Sequence, residues 1–176
     1  MNSSVQEKVN AYKGINDIAL KGEIVIFGST YMANFPFYEL ANRCHLEHAI
    51  YNRSISGLTA EDAESLLLPC VLDIKPRKIF LQLGESDSDP TDVLRHYISI
   101  LQTIRKDLPH TKVYIIGLPN TEKLNRELLS LCDDKHIFFV SFAPQLAGYA
   151  AQFKQLVHFF RDRPISFSEA FSMADL

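Results

Sequence analysis

Three short polar segments directly follow apolar runs, and a fourth lies near the carboxyl terminus. Their hydroxyl, amide and carboxylate side chains are the groups from which a hydrolytic site could be built. The segments read Gly28-Ser29-Thr30-Tyr31, Asn52-Arg53-Ser54-Ile55-Ser56-Gly57, Gly84-Glu85-Ser86-Asp87 and Asp162-Arg163-Pro164-Ile165. A hydroxyl attacks an acyl group efficiently only when a base lies within hydrogen-bond reach and donors stabilise the oxyanion that forms. The segments supply hydroxyls and backbone donors, but none of the six histidines lies in them.

Four apolar runs and one weaker run are spaced so that helices fit between them, which predicts parallel strands joined by crossover helices. In chain order the runs are Ile24 to Phe27, the weaker His48 to Tyr51, Lys78 to Leu83, Lys112 to Ile116 and His136 to Val140. Ligands bind beyond the carboxyl ends of the strands in an open parallel sheet. The polar segments that follow the first three strands are therefore expected at the ligand-binding edge.

Helical patterns occupy the chain between these runs and before the first of them. We predict helices at Val5 to Leu20, from Thr59 towards Pro69, from Asp89 to Ile104, at Thr121 to Cys132, at Pro144 to Phe160 and, more briefly, at Ser168 to Ala174. No linker, charge block or internal repeat interrupts the pattern. Residues 1–176 are accordingly predicted to form one domain, with an amino-terminal helix over residues 1–20 packed on it.

Composition excludes several classes of function. The chain is 47% hydrophobic and 22% charged, which is typical of a folded globular protein, and its net charge of −3 gives no basic field for nucleic acid. No stretch is apolar enough to predict a membrane span, and no leader pattern precedes the first helix. The three cysteines lack metal-ligand spacing and are expected to be buried thiols. We therefore expect a soluble, cytoplasmic protein without a metal or cofactor.

The order and spacing of the four polar segments resemble those of SGNH (GDSL-type) hydrolases, in particular the branch similar to platelet-activating-factor acetylhydrolase. The resemblance covers nearly the whole chain. It implies an α/β three-layer sandwich of the flavodoxin-like kind, with a five-stranded parallel sheet in the order 2-1-3-4-5 and helices on both faces. It also implies that the four segments converge at one edge of the crevice.

Carried over residue by residue, the resemblance assigns roles to the first three segments. Thr30 takes the place of the nucleophilic serine, and Ser29 takes that of the aspartate before it. Gly57 matches the backbone oxyanion donor, whereas Ser86 stands where the family has an asparagine amide as the other donor. Asn52 belongs to the same block as Gly57 and is expected to help bind the ligand.

The fourth segment resembles Asp-x-x-His, with Asp162 retained and Ile165 in the place of the general base. Isoleucine cannot accept a proton, and loss of the base removes most of the advantage of a triad, on the order of 10⁶ in turnover in a serine protease. Glu85, if it points inward at the ligand site, would oppose a developing oxyanion. The sequence thus favours an impaired or inactive hydrolase-like protein that keeps a crevice for a small acyl or carbohydrate ligand or a protein partner.

Two other functions remain open at this stage. One is an active esterase of small acyl esters that uses Thr30 or Ser29 with another base, for which His158, four residues before Asp162, is a candidate. The other is a flavodoxin-like binding domain without a phosphate loop. The site residues also have structural interpretations: Ser29 or Thr30 could cap a helix, Gly57 could serve a turn, and Asp162 could cap the last helix.

Overall fold

The computed structural model describes residues 3–42, 44, 46–119, 121–141 and 148–162. Its centre is a sheet of five parallel strands in the order β2-β1-β3-β4-β5. The strands are β1 (Ile24–Gly28), β2 (Ile50–Asn52), β3 (Lys78–Gln82), β4 (Lys112–Ile116) and β5 (Ile137–Val140). The predicted sheet and strand order are confirmed, including the weak second strand, which is the shortest of the five.

Apolar runs produce β1 and the central strand β3. Every residue of β1 and β3 is buried, as expected for strands covered by helices on both faces. Their register pairs Ile24 with Lys78 and Gly28 with Gln82. The ends of β1 and β3 therefore coincide, and the loops that follow them start side by side.

The helices form a layer on each face of the sheet, as predicted. One layer consists of α1 (Ser3–Ile15), α4 (Ala60–Ser65), α5 (Leu67–Cys70), α6 (Pro90–Asp107) and α7 (Glu122–Leu129), and the other of α2 (Thr30–Asn34), α3 (Phe37–Asn42) and α8 (Tyr149–Phe160). A 3₁₀ helix, Leu72–Ile74, precedes β3. None of the helices in the described ranges combines the length and apolar character that a membrane span requires.

The amino-terminal helix ends five residues earlier than predicted, at Ile15 instead of Leu20. Asn16 is buried just beyond its end, where the Asn16 amide donates to Pro69 O at 2.8 Å and its Oδ1 accepts from Arg53 at 2.9 Å. These side-chain hydrogen bonds compete with continuation of the helix. The predicted start of the last crossover helix at Pro144 and the predicted helix at Ser168 to Ala174 lie outside the described residues.

Helix α8 runs antiparallel to the strands across one face of the sheet. At its start, the Tyr149 ring lies 5.8 Å from the ring of Tyr31, which follows β1. At its end, the Lys78 ammonium at the beginning of β3 donates to the carbonyls of Phe159, Phe160 and Arg161 at 2.9, 3.2 and 2.8 Å. Twelve helical residues span about 18 Å, close to the length of the sheet along its strands. The residues that follow α8 are therefore carried to the amino ends of the strands.

Candidate active site

Three of the four polar segments meet at the carboxyl edge of the sheet. The hydroxyl oxygens of Ser29 and Ser86 lie 2.6 Å apart and share a hydrogen bond. The Thr30 hydroxyl accepts a hydrogen bond from the Gly57 amide at 2.9 Å. The structure thus brings together the turn after β1 and the loops that follow β2 and β3, which is where the strand ends place them.

The turn after β1 depends on Gly28. A Cβ atom at this position would lie 2.7 Å from Gln82 O and 3.0 Å from the Met32 side chain, closer than side chains tolerate. The close approach lets the Ser29 amide donate to Gln82 O at 3.2 Å. Ser29 is fully buried, and its side chain makes no capping hydrogen bond to α2. Its hydroxyl is held by Ser86 instead of serving as a helix cap.

Two backbone amides at this edge are bonded to side-chain oxygens of the site itself. The Gly57 amide donates to Thr30 Oγ1, and the Tyr31 amide donates to the Glu85 carboxylate at 2.8 Å. Gly57 has φ of +77°, a conformation that favours glycine and that directs the amide towards α2. Glu85 is exposed, and its carboxylate lies against the first turn of α2, the helix that begins at the nucleophile position.

Asn52 and Asp87 stabilise the loops around the hydroxyls of Ser29, Thr30 and Ser86. The Asn52 amide group donates to Met32 O at 2.9 Å, and its Oδ1 accepts from the Ser54 amide at 3.1 Å. Both oxygens of Asp87 accept from the Ala60 amide, at 3.0 and 3.2 Å, at the start of α4. Burial raises the pKa of Asp87, although this hydrogen bond opposes the rise. Within the described structure both side chains hold backbone in place.

An aromatic group covers the side of this edge that faces α8. The Tyr31 ring packs edge-on to Phe35 at 6.0 Å and also contacts Tyr149, and its hydroxyl donates to Gln152. Burial, with Tyr149 and Glu85 nearby, raises the pKa of Tyr31 to about 12. Tyr31 is therefore protonated at neutral pH and links α2 to the start of α8.

The fourth segment does not join the site. Asp162 lies beside residues that precede strands: its carboxylate is 2.9 Å from the Lys78 ammonium, 2.5 Å from the Arg77 guanidinium and 3.1 Å from His48 Nε2. Lys78 begins β3, whereas Ser29 contacts Gln82 at its end, and about 13 Å of strand separates the two. The expectation that all four segments converge at one edge is wrong for Asp162, because α8 carries it across the sheet. Ile165 lies outside the described residues.

Ion pairing explains the position of Asp162. Burial alone would raise its pKa, but hydrogen bonds from Lys78 and His48 and the nearby positive charges outweigh that effect, and the pKa is lowered. Lys78 is itself buried, and burial lowers its pKa although Asp162 opposes the shift. Asp162 and the carbonyl groups at the end of α8 together surround one buried ammonium. This arrangement closes the helix end, and the imidazole that Asp162 contacts, His48, lies at the edge of the sheet opposite Ser29 and Thr30.

None of the hydrogen bonds found in the described residues joins a histidine to Ser29 or Thr30. His158 is exposed near the end of α8, towards the amino edge. His96 is the imidazole that sequence reasoning missed: its Nδ1 lies 2.6 Å from a Glu64 oxygen, and His96 lines a cleft of about 220 Å³ together with Ser86 and Asp87. No sequence pattern predicts that His96 contacts Glu64, because the two residues meet only where α6 packs on α4.

One group in the described residues brings three potential metal-ligand side chains close together. Oxygen and nitrogen ligand atoms of Glu47, His48 and Asp162 lie within 4.8 Å of one another. The Arg77 guanidinium lies 2.6 Å from His48 Nε2 and 2.5 Å from the Asp162 carboxylate. A positively charged group thus already occupies the position where a cation would bind, and the donor set does not fit a metal ion.

The sequence matches no family model and no curated protein, but the fold has clear relatives among solved structures. A structure from Streptococcus pneumonia described as a platelet activating factor has a TM-score of 0.77 at 19% identity, over 89% of this chain and 92% of that one. A GDSL-like lipase from Bacteroides thetaiotaomicron has a TM-score of 0.65 at 13% identity, over 80% of each chain. For the psychrotrophic esterase EstA from Pseudoalteromonas sp. the TM-score is 0.59 at 14% identity, over 88% of this chain and 97% of that one. The strand order, the helices on both faces and these likenesses agree: the chain has the fold of the SGNH (GDSL-type) hydrolases.

Proposed function

We propose that this chain is a hydrolase-fold protein that has lost acyl transfer and retains its crevice for binding a small acyl or carbohydrate ligand or a protein partner. The observation that carries the proposal is that two backbone amides beside the nucleophile position, that of Gly57 and that of Tyr31, are already bonded to side chains. The Gly57 amide is bonded to the Thr30 hydroxyl and the Tyr31 amide to the Glu85 carboxylate. An oxyanion formed at this edge would have to displace both side chains.

Glu85 disfavours oxyanion formation for a second reason. Its carboxylate carries the same sign of charge as the oxyanion, so in its observed position it opposes an oxyanion that forms beside the Tyr31 amide. Removal of a single oxyanion donor from a serine protease costs about 2.7 to 4 kcal/mol of transition-state stabilisation. With two donors already engaged, the site offers little of the electrostatic stabilisation on which acyl transfer depends.

The hydroxyl groups also lack activation. The Ser29 hydroxyl is paired with another hydroxyl, that of Ser86, which is too weak a base to remove its proton at neutral pH. The Thr30 hydroxyl already accepts from the Gly57 amide, and within the described residues none of its hydrogen bonds joins it to a general base. Both positions proposed for a nucleophile are therefore held as neutral hydroxyls.

An active esterase is the second candidate, and one observation favours it. His96 shares a cleft with Ser86, and its Nδ1 is held by the Glu64 carboxylate, the type of pairing that orients a catalytic imidazole. Hydrogen bonds from Ser99 and His96 lower the pKa of Glu64, so this carboxylate is ionised at neutral pH. In this alternative His96 would act as base towards the Ser86 and Ser29 hydroxyls.

Hydrolysis of p-nitrophenyl acetate distinguishes the two candidates. The wild-type protein should show no saturable rate above that of a catalytically inert protein of similar composition, and Thr30→Ala and Ser29→Ala should leave the rate unchanged. The Pseudoalteromonas esterase serves as the positive control for hydrolysis. A saturable wild-type rate that is abolished by Ser29→Ala and by His96→Gln would overturn the proposal in favour of the esterase.

A further inference from the structure

A cleft of about 490 Å³ opens beside the site, between α1, the end of α2 and the loop that follows β2. Its volume lies within the range of about 300 to 1,000 Å³ that is usual for small-molecule sites. The cleft lies on the carboxyl side of β2, the edge at which open parallel sheets bind ligands. It does not include the paired hydroxyls of Ser29 and Ser86, so it is a separate place for a ligand.

Hydrogen-bond donors dominate the walls of the cleft. Lys8 is its one charged lining residue, and serine, asparagine and tyrosine side chains provide most of the remainder. The Tyr38 hydroxyl accepts from the Asn52 backbone amide at 3.2 Å, which leaves the hydroxyl proton available to a ligand. Tyr38 is also 59% exposed and presents its ring at the rim. A ligand rich in acceptor oxygens suits these walls.

The cleft has a positive character that carboxylates of the chain do not neutralise. The Lys8 ammonium lies 5.8 Å from the centre of the Tyr12 ring, and the Arg53 guanidinium lies 4.7 Å from the same ring. In the described residues neither cation forms an ion pair with an acidic side chain. Arg53 is only 2% exposed, and a buried charge without a counter-ion is costly. An anionic group bound beside Lys8 would also lie in the field of the Arg53 charge, which is close to the Tyr12 ring that lines the cleft.

Buried polar atoms without partners lie next to the cleft. Ser54 lines it and is almost fully buried, and its hydroxyl has no hydrogen-bond partner in the protein. The Nη2 atom of Arg53, the preceding residue, is likewise without a partner. Buried polar groups in folded proteins are nearly always hydrogen-bonded, and exceptions commonly mark a site for an ion, a water or a ligand. Of these two atoms the Ser54 hydroxyl belongs to a residue that lines the cleft, and it marks the cleft as a place for an occupant.

We infer that the cleft between Lys8, Tyr38 and Ser54 binds a small sugar that carries one anionic group, either a carboxylate or a phosphate. The anionic group would lie towards Lys8, and the sugar hydroxyls would bond to Tyr38 and Asn34. The inference rests on the binding role proposed above and makes the ligand class specific. Binding measurements test it, whereas the hydrolysis assay tests the loss of catalysis, so the two can fail separately.

Isothermal titration calorimetry with four probes provides the test: glucose 6-phosphate, glucuronate, glucose and inorganic phosphate. At least one of the charged sugars should bind with a Kd below about 1 mM, at least tenfold tighter than glucose and than inorganic phosphate. Whichever charged sugar binds identifies the anionic group. Failure of both charged sugars to bind with a Kd below about 1 mM would refute the inference, as would equal affinity for glucose or for inorganic phosphate.

Variants locate the binding. Lys8→Gln should weaken binding of the charged sugar at least tenfold, whereas Lys13→Gln, one exposed turn further along α1 and outside the cleft, should leave it unchanged. Ser54→Ala should keep the melting temperature, because the hydroxyl it removes has no partner, and should weaken binding at least threefold. Equal losses in the Lys8 and Lys13 variants would mean that general charge attraction causes the binding, which would overturn the assigned site.

Discussion

Replacing Asp162 by asparagine separates a structural role at the amino edge of the sheet from a catalytic one. The substitution preserves size, but it removes the negative charge and replaces one acceptor oxygen by an NH2 donor. It leaves the Lys78 ammonium, whose side chain is 5% exposed, with only neutral oxygen acceptors, chiefly the carbonyl groups at the end of α8. We expect Asp162→Asn to lower the free energy of unfolding without affecting any reaction at the other edge.

The costs of breaking a fully buried and a surface ion pair bound the expected loss of stability in Asp162→Asn. Loss of one partner from a fully buried ion pair costs about 3 to 5 kcal/mol, whereas a surface pair contributes about 0 to 1 kcal/mol. Lys78 is near the buried limit, but the Asp162 side chain is 33% exposed and partly solvated. An intermediate loss of about 1.5 to 2.5 kcal/mol is expected, which lowers the melting temperature by roughly 4 to 8 °C for a domain of this size.

Urea unfolding as a function of pH provides the assay. The pKa of Asp162 is depressed in the folded protein, so its contribution to stability is fully present above the ordinary carboxyl pKa of about 3.9. That contribution is lost as the pH falls through the folded pKa. The difference in free energy of unfolding between wild type and Asp162→Asn should therefore have its full size near pH 6 and shrink below about pH 4. Asp17→Asn, at an exposed position, is the matched control and should show no difference.

A loss of activity without a loss of stability would refute a structural role for Asp162. If Asp162→Asn leaves the free energy of unfolding unchanged at pH 6 while it removes a measurable esterase rate, then Asp162 acts at the reacting centre. A difference of the same size in Asp17→Asn would show that overall charge, and not the Lys78 pair, determines the stability.

Two further stability measurements test groups beside the site. Burial, with Cys70 nearby, raises the pKa of Tyr12 to about 12. The tyrosine of the unfolded chain therefore ionises first, and the free energy of unfolding falls between about pH 10 and 12. Between pH 9 and pH 12 the wild type should lose about 2 kcal/mol more than Tyr12→Phe, and parallel curves of stability against pH would contradict this. Asp87→Ala leaves the Ala60 amide without its acceptor and should lower the free energy of unfolding in urea by about 1 to 2 kcal/mol, whereas Asp87→Asn should lower it less. Equal losses in the two variants would show that the hydrogen bond to Ala60 is not how Asp87 stabilises the protein.

The sequence by itself determined the sheet and the edge at which its polar loops meet. Fully buried strands read as continuous apolar runs, so β1 and β3 are visible from their residues, and helical spacing between the runs requires parallel crossovers. Once the strands are placed, the segments that begin at Gly28, Asn52 and Gly84 must lie together. These predictions depend on local periodicity, which a single sequence contains.

Only the tertiary structure decided what the polar groups do. The pairing of Ser29 with Ser86 and of Tyr31 with Glu85 joins residues 57 and 54 positions apart, and the sequence shows their proximity but not which atoms bond. The position of Asp162 depends on the direction and length of α8, which carry it to Lys78 at the far edge of the sheet. Local sequence patterns encode which residues are buried, whereas hydrogen bonds between distant loops depend on angstrom-scale packing of the whole domain.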